Sequence, residues 1–228
     1  MTCQQRFLFM SGLALLFGNS ALTVRATAQE RPLKNSFELG GGAAVPAADL
    51  RPYMSSSFLL RLGYGYRLHR NLQADFGLEG VFGAAGVKRV ERSAVGDIKI
   101  DDSEVLVPFG ARAILPLAHD RFELHAGGGG MYLHYAEEAS VPEGVTVICY
   151  YGSCTVDVDC PACRSRSGWG YYGRAGAAIS LDRRHRCWLG LDTRLIRGTT
   201  SGQALGSVPE FRTKDQWVNT TIALIFRW

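Results

Sequence analysis

Between Asn35 and Trp228, apolar and polar residues alternate with a period of two in eight runs, which predicts β-strands rather than helices. The expected spans are 35–45, 56–67, 72–83, 103–116, 122–135, 169–181, 187–198 and 216–228. In the last run Val218, Thr220, Ile222, Leu224, Phe226 and Trp228 share one face, opposite Trp217, Asn219, Thr221, Ala223, Ile225 and Arg227. In the third, Leu72, Ala74, Phe76, Leu78 and Phe82 alternate with Gln73, Asp75, Gly77, Glu79 and Val81. Carried through all eight, the parity collects Glu38, Asp75, Glu79, Glu104, Glu123 and Asp192 with Arg61, Arg67, Arg112, Arg174, Arg194 and Arg227. A charge buried without a partner costs several kcal/mol, so a balanced set of acids and arginines suits a narrow, closed interior, with the apolar face turned to lipid. The expected fold is all-β, an eight-stranded up-and-down antiparallel transmembrane β-barrel. A soluble barrel of the lipocalin type would show the reverse polarity, and an ion-selective pore an excess of one sign.

The links between runs sort by length. Those at 68–71, 118–121 and 182–186 are short, whereas the others are long, reaching about thirty residues between Ala136 and Gly168. Short turns on one rim and long loops on the other fit a barrel with short periplasmic turns and long external loops. Aromatics gather toward the strand ends, with Phe37, Tyr64, Tyr66, Phe122, Phe226 and Trp228 near the short-turn rim. Phe58, Phe82, Tyr132, Trp169 and Tyr171 fall near the other, as two water–lipid boundaries would favour. Inner-face glycines, among them Gly63, Gly129 and Gly176, are expected to make room for long charged side chains. The run Gly127 to Gly130 lacks the spacing of a phosphate loop.

Composition adds an address. Arg6, the apolar stretch Phe7 to Phe17 and Ala26-Thr27-Ala28 form a secretory signal, so residues 1–28 are expected to be cleaved, leaving Gln29 first. Residues 29–34 then lead into one barrel domain, 35–228. Losing Arg6 and Arg25 from 25 basic residues, against 21 acids, leaves a formal charge of +2, too small to suggest nucleic acid. Cys149, Cys154, Cys160 and Cys163 crowd the longest loop, where an exported protein would form two disulfides; the spacing leaves the pairing open. The rival reading is a zinc knuckle at Cys160-Pro161-Ala162-Cys163, which export disfavours. Cys187 is expected to be a lone buried or lipid-facing thiol.

The terminal run, with Ile222, Leu224, Phe226 and Trp228 at alternate positions and an aromatic last residue, is similar to the signal by which bacterial barrels are recognised for insertion. With the signal segment and eight strands, the chain resembles the small OmpA/OmpX-type outer-membrane barrels over nearly its whole length. The resemblance implies an outer-membrane location, contact with membrane lipid and lipopolysaccharide, passage through the barrel insertion machinery, and a monomer. OmpA proteins in the full sense continue into a peptidoglycan-binding domain that this sequence does not show, so cell-wall anchoring is not expected. The expected role is non-enzymatic: external loops that meet an extracellular ligand, with Tyr150 and Tyr151 beside the loop cysteines. A narrow solute channel and a lipid-modifying enzyme are the alternatives. For the latter His134 lies near the external rim, but no Ser with an acidic orienter is evident beside it, and no cofactor or metal is implied.

Overall fold

The computed structural model describes residues 33–228 apart from 53, 84–89, 94–95, 119, 141–146, 151–152, 157–163 and 204–211; within 90–101 and 138–156 only backbone is described. The signal segment, Cys160 and Cys163 therefore lie outside the described residues. Eight long strands carry the architecture: β1 (Asn35–Ala48), β2 (Ser57–His69), β3 (Leu72–Phe82), β5 (Gly96–Leu117), β6 (Phe122–Ser140), β9 (Arg164–Ser180), β10 (Cys187–Gly202) and β11 (Thr213–Arg227). Each pairs antiparallel with its neighbours in the order β3-β2-β1-β11-β10-β9-β6-β5, and β3 pairs back onto β5, so the sheet closes on itself. Three short strands were not expected: β4 (Val90–Ser93) folds back on the start of β5, and β7 (Val147–Tyr150) pairs with β8 (Ser153–Val156) as a separate hairpin.

The barrel is inside-out relative to a soluble domain. Outward Leu60, Leu62, Phe76, Leu115, Leu191, Leu195 and Ile222 are exposed, whereas inward Glu38, Arg61, Glu79, Arg112, Arg174, Asp192 and Arg194 are buried. Lipid is the solvent that makes such an apolar outer wall stable, and a sheet closed on itself leaves no open edge to meet it. Among the described residues no helix is long and apolar enough to cross a membrane.

The three tight links stack at one rim. Asn71 donates from Nδ2 to the Ile114 carbonyl at 2.8 Å, tying the β2–β3 turn to β5. Ala118 and Asp120 take positive φ values of 50° and 62° in the β5–β6 turn. In the β9–β10 turn the Asp182 carboxylate accepts the N–H groups of Arg184, Arg186 and Cys187 at 3.2, 2.8 and 2.9 Å. Those bonds, that from Cys187 first, hold its carboxyl below the usual aspartate range.

Strand length differs at the opposite rim. β5 has 22 residues and β6 has 19, about twice the 9–11 that cross a membrane. Their register runs without interruption from Leu117↔Phe122 to Lys99↔Ser140, which at about 3.3 Å per residue and a tilt of about 40° lifts the far end some 20 Å beyond the apolar band. The spans read from the pattern stopped short here because a ribbon in water has no lipid face to keep apolar.

Two glycines show why side chains are excluded at some inner positions. A Cβ on Gly176 would strike the Leu191 carbonyl oxygen and stand 2.6 Å from His125 Nε2, within the charged interior. On Gly129 the obstacle is backbone alone, since its Cβ would strike the Phe109 carbonyl and stand 2.5 Å from Gly110 Cα. Close strand approach, and not only room for long side chains, therefore selects glycine.

Candidate functional site

The parity of the strands stacks inward side chains in layers, and the layers differ in chemistry. Nearest the short-turn rim Glu123 accepts from Arg67 at 3.1 Å and from both ends of the Arg227 guanidinium at 3.0 and 2.5 Å. That guanidinium also lies 4.2 Å from the centre of the Trp188 ring. The indole in turn donates to the His185 carbonyl at 2.8 Å.

The middle layer is one continuous network. Glu38 takes Arg61 at 3.0 Å and Arg112. Asp192 takes Arg61 at 2.7 Å, Arg174 at 2.8 Å and His125 at 2.8 Å. Asp75 bridges Arg112 at 3.3 Å and Arg174 at 3.2 Å. Glu79 holds Arg194 at 2.5 Å and accepts from the Asn219 amide at 3.0 Å. Four acids meet four arginines on six strands, so the layer cross-links the barrel through its own axis. His125, Asn219 and Thr221 also belong to it, the last accepting from Arg61 at 3.2 Å. All three sit at inward parity in the sequence and were left out of the expected network because it was collected from acids and arginines alone.

Above the network lies an apolar layer that the expectation of a polar interior missed. Leu59, Val81, Leu106, Met131, Leu133, Tyr172, Ile196 and Trp217 are buried in one cluster, and Leu50 and Met54 from the link after β1 join it. These are inward positions of the same strands, so parity alone would have found the side chains, but not the link residues that fold in to complete the layer.

Glu104 stands apart from the other sequence-predicted charges. It lies on the long-loop side of the apolar layer, 1% exposed, with neither carboxylate oxygen bonded. Asp215 sits in the same region and is satisfied by the hydroxyls of Thr200 and Thr213 at 2.6 and 2.7 Å. The Arg166 guanidinium is anchored on Thr200 and Thr213 at 2.8 Å each.

Outside the barrel the exposed terminal residues Ile222, Leu224, Phe226 and Trp228 face outward along β11. Trp228 exchanges backbone hydrogen bonds with Asn35 at 3.1 Å, so the last strand also closes the ring. Cys187 is half-buried at the start of β10 and unbonded to any described cysteine. In the loop hairpin the register sets Cys149 opposite Cys154. No cluster of His, Cys, Asp and Glu suited to a metal ion occurs among the described residues. A serine stands beside His134. Ser167, its register partner on β9, places Oγ 2.8 Å from the imidazole Nδ1, on the outer wall beside Tyr132 and Trp169.

Comparison with solved structures gives the same architecture. Neisserial surface protein A superposes with a TM-score of 0.50 at 10% identity, covering 85% of this chain and 97% of that one. Its fold is that of the small bacterial outer-membrane barrels. Ail of Yersinia pestis, solved with the heparin analogue sucrose octasulfate, gives 0.47 at 10% identity over 86% and 98% of the two chains. The outer membrane protein W of E. coli gives 0.44 at 15% identity over 86% and 98%. No protein-family model and no curated relative matches the sequence.

Proposed function

We propose that this chain spans a bacterial outer membrane as a sealed mount, exported behind its N-terminal signal, and that its recognition surface is the long-loop rim. The observation that carries this reading is the double closure of the lumen. A salt-bridge network and, above it, an apolar layer fill the interior, so a hydrated ion would have to displace both. The wall is thus a scaffold, and the β5–β6 ribbon and the cysteine-bearing hairpin are the parts that reach into the medium. Planar-bilayer recording on purified protein is expected to show no reproducible conductance; steady ion current would restore the channel reading. Deleting residues 140–165, with Tyr150 and Tyr151, is expected to abolish binding to cells or extracellular ligand while the barrel still inserts. Unchanged binding would remove the loop from the account.

A second reading rests on the His134–Ser167 contact. An imidazole within hydrogen-bond reach of a serine is the minimal arrangement for an acyl-transfer nucleophile. Ser167 Oγ would attack the acyl carbonyl of a membrane-lipid ester while His134 takes its proton and returns it to the departing alcohol. Water would then release the acyl group. Overexpressing the protein and its Ser167→Ala variant tests this: acyl profiles that differ between the two support hydrolysis, and identical profiles exclude it.

A further inference from the structure

At the long-loop edge of the wall, Arg197 on β10, Lys214 on β11 and Arg212 just before β11 are all exposed. Arg212 donates to Thr199 Oγ1 at 3.0 Å, whereas Arg197 and Lys214 have no hydrogen-bond or ion-pair partner among the described residues. A cleft of about 380 Å³ lies between them, lined by Trp169, Tyr171, Arg197, Thr199, Lys214 and Gln216. Register explains the grouping: Tyr171 pairs with Arg197, Trp169 with Thr199, and Thr199 with Lys214. Trp169 and Tyr171 are 64% and 62% exposed, among the most open large side chains of the wall. No acid occupies an outward position on β9, β10 or β11. Asp215, which borders the cleft, is 1% exposed and already bonded to two threonine hydroxyls.

Height sharpens the meaning of these charges. Arg197 lies ten residues along β10 from Cys187 at the short-turn rim, which at about 3.3 Å per residue and a tilt of about 40° is about 25 Å, the height of the apolar band. It therefore stands where hydrocarbon gives way to headgroups, with Tyr171 alongside and Trp169 and Lys214 level with Thr199 above it. A lipid-facing arginine at that level costs little, and an anion that meets it there adds a charge-assisted hydrogen bond. Aromatic rings at the same level favour the boundary itself.

We propose that this cleft binds the phosphate of an outer-leaflet lipid, a site that rests on reading the wall as membrane-spanning. Arg197 and Lys214, with Arg212 at the rim, pair with the phosphate oxygens. Trp169 and Tyr171 pack against the lipid's sugar or glycerol and its first acyl carbons. The test uses the folded full chain in phosphatidylcholine nanodiscs, offered phosphorylated or dephosphorylated lipid A, with retained lipid counted by native mass spectrometry. The intact protein is expected to retain the phosphorylated form, and an Arg197→Gln, Lys214→Gln variant to lose about tenfold or more of that preference while still running as a folded barrel on an unheated gel. Equal retention by both proteins, or retention indifferent to the phosphate, overturns the site. Competition by inorganic phosphate alone at comparable concentration would also overturn it, by assigning the cleft to free phosphate. Failure of the intact protein to enter the bilayer at all is a separate outcome, which removes the membrane reading beneath it.

Discussion

Arg61 shows how a single inward residue holds the barrel. Its guanidinium touches Glu38, Asp192 and Thr221 and lies 3.8 Å from Glu79, so it joins groups from four other positions around the lumen. Replacing it with alanine leaves buried carboxylates short of a partner and is expected to cost about 3–5 kcal/mol in reversible urea unfolding from lipid vesicles. Glu104 is the opposite case, a buried carboxyl whose oxygens accept no hydrogen bond among the described residues. Glu104→Gln is expected to change stability by less than about 1 kcal/mol in the same assay, because the amide replaces a buried carboxyl of the same shape that makes no hydrogen bond among the described residues; a large loss would mean that Glu104 has a partner only in the membrane. Asp182 adds a pH dependence at the turn. Since its N–H bonds depress its carboxyl in the folded state, its contribution is full above the ordinary aspartate value of about 3.9 and is lost as pH falls through the lower folded value. Hydrogen exchange should show the amides of Arg186 and Cys187 losing protection in acid, with Asp182→Asn already unprotected at neutral pH.

At the scale of strands, the pattern was legible wherever lipid enforces it. Between the aromatic bands each strand alternates and each was anticipated within a few residues, because one side meets hydrocarbon and the other meets charge. Beyond the long-loop band the constraint disappears, so the first seven residues of β5 and the whole of β4, β7 and β8 carried no signal. The lumen was legible as to which residues point inward and not as to which of them meet. Glu104 and Glu79 look equivalent in sequence; only the apolar layer between them separates one from the arginines that satisfy the other. The cysteine hairpin yields an expectation that spacing alone could not. Antiparallel partners lie about 4.5–5.5 Å apart at Cα, within the span a disulfide takes, so Cys149 and Cys154 are expected to be joined. Peptide mapping without reduction should recover that link; a Cys149–Cys160 or Cys149–Cys163 link would mean the hairpin register is not the one formed on oxidation.

Taken whole, the molecule divides its surface by solvent. An apolar wall for lipid surrounds an interior locked by ion pairs and capped by hydrocarbon side chains, and its long strands carry the chain past one boundary only. Short turns with tight capping hold the opposite rim. All of this depends on the inside-out barrel being inserted in the outer membrane. Fractionating expressing cells and running the membrane fraction unheated and boiled in detergent addresses that directly. The protein is expected in the outer-membrane fraction as a compact, fast-running band that shifts on boiling as the barrel unfolds. Recovery as a soluble periplasmic protein, with no difference between the heated and unheated lanes, would contradict it.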